Sequence, residues 1–108
     1  MAESQLRKGV LELVVLASLK QEPTYGGALL DTVAQSLGSD VSSGTLYPLL
    51  ARLRKTGMLS SHWEESPMGP PRKIYRVTDR GLTRLEALHD EFNALMAAVS
   101  TALKGMHT

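Results

Sequence analysis

Apolar positions along the chain fall into four helical stretches and one alternating stretch. From Leu6 to Leu19 nearly every residue is apolar (GVLELVVLASL). A run longer than ten residues with polar flanks predicts a buried helix, although its β-branched residues would also suit a strand. Glu12 interrupts the run; it is expected either to point to solvent or to face a partner helix or an internal cavity. Leu29, Leu30, Val33, Ala34 and Leu37 form the core face of a second helix, opened by Pro23 with Thr24 as N-cap and ended by Gly38. Leu46, Leu49, Leu50 and Leu53 recur at helical spacing in a third, from about Ser43 to Thr56, with Ser42 and Ser43 as N-cap candidates. Gly57 stands where a left-handed residue closes a helix, and Pro48 implies a slight bend or a later start. Leu59 to Glu64 alternates as a strand, Glu65 to Pro71 is a turn by composition, and Arg72 to Val77 is a returning strand. Trp63 is expected to anchor this hairpin to the body of the domain. Thr78 caps a final helix in which Leu85, Leu88, Phe92, Leu95, Val99 and Ala102 alternate at spacings of three and four. The fold class that follows is mainly α with a small β wing.

Charge sharpens this picture. The 108 residues carry a net charge of only +1. Residues 41–80, however, hold seven cations against three acids, while the remainder holds five against eight. A basic stripe on an otherwise mildly acidic chain is an electrostatic footprint for phosphate. Cysteine is absent, the N-terminus lacks a signal-peptide pattern, and no apolar run approaches the roughly 18–20 residues that span a bilayer. A reducing cytoplasm is the expected location, and no membrane partner is expected.

Catalytic patterns are missing. His62, His89 and His107 are scattered, the Gly-x-Ser-x-Gly of a nucleophile elbow does not occur, and no glycine-rich loop precedes a lysine. The chain is therefore read as a non-enzyme without metal or cofactor. DNA binding, by contrast, needs cations and backbone N–H groups for phosphate, and short polar or aromatic side chains for base edges. The third helix offers Ser42, Ser43, Thr45 and Tyr47 at its start and Arg52 toward its end. Arg72 and Lys73 lie at or near the wing, and Tyr25 begins the second helix. Tyr75, alternating with Val77, is expected in the core.

The segments GTLYPLLARLRKTGML, GPPRKIYRVTDRG and PTYGG, in this order and spacing, resemble the PadR family of transcriptional regulators, from about Leu6 into the final helix. The resemblance implies one domain, with a winged helix-turn-helix at 5–78 and a dimerisation helix at 79–105. It implies a homodimeric regulator of double-stranded DNA, usually a repressor, often released by a small aromatic or apolar effector. Two such helices would enter successive major grooves roughly 34 Å apart. The dimer seam would be Leu85, Leu88, Phe92, Leu95 and Val99; the alternative is that this face packs onto the first helix of its own chain, and the two are compatible. An effector would meet Phe92 and Met96, with Glu12 and Leu16 of a partner's first helix facing them. At Gly27 family members often carry a larger side chain, so contacts made there are not carried over. The rival reading is a winged-helix protein-interaction module without DNA or ligand, which would not need the basic stripe.

Overall fold

The computed structural model describes residues 5–38 and 41–105, so His107 lies outside the described residues. Helix α1 spans Gln5–Gln21, α2 Gly26–Leu37, α3 Ser43–Lys55 and α4 Asp79–Lys104. Strands β1 (Thr24–Tyr25), β2 (Leu59–Ser66) and β3 (Gly69–Val77) form one antiparallel sheet in the order β1-β3-β2. The apolar run at the start of the chain is indeed helical. Leu11, Val15, Leu16 and Leu19 place one of its faces in the core, at the i, i+4, i+5, i+8 spacing of a helix.

The core is that stripe packed with Leu29 and Val33 of α2, Leu46, Leu49, Leu50 and Leu53 of α3, and Leu59, Tyr75 and Leu88. Burial holds the Tyr75 phenol above its ordinary pKa of 10.0; nearby Tyr47 pushes the same way and Arg54 opposes. Pro48 sits inside α3. Gly38 and Gly57 take positive φ values of 105° and 82°, the left-handed region that only glycine enters freely.

Two expectations need correction. Thr24 is not the cap of α2; Tyr25 occupies that position, without a side-chain cap bond. Thr24 and Tyr25 instead pair with Tyr75 and Ile74 of β3, so the hairpin gains a third strand. The wing is also longer than expected, because β3 begins at Gly69 and runs through Pro70 and Pro71. The ladder tolerates these prolines because pairing with β2 is irregular there, between Glu64 and Ser66, and a proline costs nothing where no backbone bond is due.

Thr78 closes the base of the wing. Its hydroxyl accepts from the Gly81 N–H at 3.1 Å, capping α4, and lies 2.6 and 3.1 Å from the Gly57 and Met58 carbonyls, to which it donates its one proton. The start of α4 is thereby stitched to the α3–β2 turn. Gly81 is pressed against that same turn: a Cβ there would collide with the Met58 carbonyl oxygen and come within 2.6 Å of Val77 Cγ2. Because backbone cannot swing aside, Gly81→Ala is expected to destabilise the fold by about 1–3 kcal/mol, read as a lowered midpoint in urea unfolding. An unchanged midpoint would contradict this packing.

Candidate nucleic-acid interface

Four apolar residues turn one side of α3 inward, so the opposite side is left to solvent. Ser42, Ser43, Gly44, Tyr47, Pro48, Ala51, Arg54 and Lys55 are exposed along it. The Ser42 side chain caps no backbone N–H; its hydroxyl lies 3.4 Å from that of Thr45, and its carbonyl accepts from the Thr45 and Leu46 N–H groups. Free N–H groups at a helix start favour phosphate. Tyr47 is divided between two roles. A Cβ at Gly26 would lie 2.5 Å from its ring, so the ring lies across the start of α2, while the residue remains exposed. A side chain at Gly26 would push this ring aside, and the exposed tyrosine has room to move.

The wing carries its cations on opposite faces. Trp63 pairs with Lys73 and Glu64 with Arg72, and successive strand residues alternate in direction. The Arg72 guanidinium lies 4.4 Å from the centre of the Tyr25 ring. Lys73 Nζ lies 5.9 Å from both the Trp63 and Tyr75 rings. Aromatic faces attract cations at such distances. Strand β1 is what brings Tyr25 beside the wing. Trp63 does not anchor the hairpin, being 68% exposed, and Met68 at the tip is 96% exposed. The strand alternates, but the hairpin projects beyond the core, which leaves Trp63 exposed.

Glu12 links three helices. Glu12 is 7% exposed, so it neither points to solvent nor is free to meet a ligand. Its Oε1 accepts from Arg52 Nη2 at 3.3 Å and its Oε2 from Arg84 Nε at 2.8 Å. Arg52 is therefore engaged with α1 and flanks the open face of α3. The signal in the sequence was a carboxylate inside an apolar run, but its partners lie 40 and 72 residues away.

Of the residues assigned to an effector, Glu12 and Leu16 lie inside the single chain and Phe92 and Met96 on its surface. Leu16 is completely buried in the core of the chain, so it has no surface for a partner or ligand. Phe92 and Met96 are exposed on α4. A groove of about 270 Å³ does run between α1 and α4, lined among others by Leu6, Val10, Leu13, Leu88, Phe92 and Leu95. The seam on α4 is likewise divided. Leu88 belongs to the chain's own core and Leu85 packs against it. Phe92, Leu95, Met96, Val99 and Leu103 are left exposed. Among the described residues no helix is long and apolar enough to cross a membrane, and no group of His, Cys, Asp and Glu is placed to hold a metal.

Known proteins share this architecture. A PadR-like transcriptional regulator from Bacillus cereus is 36% identical, with a TM-score of 0.83 over 93% of this chain and 97% of its own. A PadR family regulator from Eggerthella lenta is 39% identical, with a TM-score of 0.76 over 92% and 82%. The transcriptional activator GvpE1 of Halobacterium salinarum is 31% identical over 86% of this chain, which spans 49% of that activator's length. The model of the transcriptional regulator PadR-like family matches residues 15–87. With that match covering α2, α3, the whole wing and the start of α4, the chain belongs to the PadR-like family of transcriptional regulators.

Proposed function

We propose that the chain is a sequence-specific DNA-binding regulator acting as a homodimer, with residues 5–78 as the winged helix-turn-helix and 79–105 as the dimerisation helix. The observation that carries this reading is a polar helix start (Ser42, Ser43, Thr45, Tyr47) together with a wing on which Arg72 and Lys73 lie within reach of aromatic rings. The α3 side chains would address base edges, and Tyr25, Arg72, Lys73 and Arg52 the flanking phosphates. Such an arrangement explains the basic balance of residues 41–80, which a protein-interaction module has no need of. A mobility-shift titration at low salt, with duplex from the gene's own promoter, is expected to give a discrete complex that outcompetes random duplex. No retardation at micromolar protein would favour the interaction module instead.

The dimer would be closed by the exposed half of α4. Phe92, Leu95, Met96, Val99 and Leu103 form an apolar stripe that solvent would otherwise cover, and in a chain of this size a second copy is the natural partner. As a family member it would repress by occupying its operator in the cytoplasm; a reporter fused to the promoter, compared with and without the gene, reads the sign.

Release by an effector is the remaining part of the proposal. Phe92 lines the α1–α4 groove beside Leu6 and Val10, and a planar ring stacked on it would gain about 0.5–1.5 kcal/mol beyond area burial. To act as inducer the ligand must prefer the DNA-free geometry, since equal affinity shifts nothing. Calorimetric titration with planar aromatics is expected to show micromolar binding that Phe92→Ala abolishes. Binding that survives the substitution would remove Phe92 from the site.

A further inference from the structure

Among the described residues, two polar points attach helix α4 to the body of the molecule. The first is Thr78, whose hydroxyl and N–H bind the Gly57 and Met58 carbonyls just after α3. The second lies six residues on, where Arg84 Nε donates to Glu12 at 2.8 Å. One point of attachment permits a pivot; two set a direction. Leu85 and Leu88 add apolar contact beside them, but such contact is non-directional, whereas a charge-assisted hydrogen bond is both short and oriented.

Glu12 serves a second helix through its other oxygen. Arg52 Nη2 of α3 donates to it at 3.3 Å, so one carboxylate on α1 holds α3 and α4 together. The carboxylate is nearly buried, while the arginine side chains are 60% and 42% exposed. The centre of the cluster is therefore the protected part, and both cations are fixed by it. Beyond Arg84 the helix continues for 20 residues to Lys104, about 30 Å at 1.5 Å per residue. A turn of about 10° at the attachment would move the far end by ~5 Å, more than the ~3.4 Å rise of one base pair.

We propose that Glu12 is a positioning residue: by holding Arg52 and Arg84 on one buried carboxylate, it fixes the angle between α3 and α4 and so the half-site spacing that the dimer accepts. This rests on the DNA-binding homodimer proposed above.

The test uses duplexes that the wild-type protein selects from a random library, together with the same duplexes lengthened or shortened by one base pair between the half-sites. Affinities are measured by fluorescence anisotropy for wild type, Glu12→Gln, Arg84→Met and Arg84→Lys. Sedimentation is run on each protein at the same concentration. The wild type is expected to discriminate strongly against the altered spacers. Glu12→Gln and Arg84→Met are expected to lower that discrimination at least threefold while remaining dimeric, and Arg84→Lys to restore part of it. Arg84 is partly exposed, so its variants carry the test even where Glu12→Gln fails to fold. An unchanged spacing ratio in folded Arg84→Met overturns the proposal, because a purely stabilising ion pair would weaken all duplexes alike. So does loss of the dimer, which would make the cluster an assembly contact. A wild-type protein that selects no two-part site defeats the DNA-binding reading instead.

Discussion

Leu95→Asp is expected to convert the proposed dimer to monomer at micromolar concentration while leaving the fold of each chain intact. Leu95 is 57% exposed in the single chain, so its own domain loses little when it is replaced. In a two-fold seam the substitution appears twice, since the same patch serves both partners. Each copy removes a side chain whose full burial contributes about 1.5–3 kcal/mol and adds a charge to an apolar contact, where it has no partner. A combined loss of even ~3 kcal/mol is about a hundredfold in the dissociation constant. Sedimentation equilibrium reads the mass directly, and urea unfolding extrapolated to high dilution reads the fold. Leu50→Ala is the useful contrast: Leu50 is completely buried, so that variant should lose about 2–5 kcal/mol of folding stability. A Leu95→Asp protein that still dimerises would place the interface elsewhere than the exposed half of α4.

Removing the wing cations should weaken DNA binding without changing which sequence is preferred. Arg72→Ala and Lys73→Ala together delete two phosphate neutralisations, and the log–log salt slope should flatten by about 0.9 for each. The two side chains lie near different rings, Arg72 over Tyr25 and Lys73 near Trp63 and Tyr75, so their effects are expected to add. Tyr25→Leu should reproduce part of the Arg72 effect, because it removes the ring that the guanidinium lies over. Thr45→Ala, in the first turn of α3, should instead narrow the ratio between cognate and random duplex. Titrations at several salt concentrations separate the two cases. A double wing variant with an unaltered salt slope would show that the wing does not reach phosphate.

How far these features are legible in the chain follows from the range of the forces that set them. The α2 and α3 stripes, the glycine stops at Gly38 and Gly57 and the Thr78 cap each depend on residues within about one helical turn, and local spacing predicts them. The basic balance of residues 41–80 is likewise a property of one contiguous segment. Only the tertiary structure decides the rest. Thr24 and Tyr25 become a strand because β3, some fifty positions later, offers its edge; no two-residue pattern could announce that. Trp63 resembles a buried anchor until the wing is seen to extend past the core. The α4 seam is continuous in spacing, yet its first part packs at home and its second part faces outward, because α1 reaches only so far along it. Glu12 carries the clearest lesson. A lone carboxylate in an apolar run is a conflict that sequence can register but not resolve, since the arginines that neutralise it come from two other helices brought together by the packing of the leucines between them.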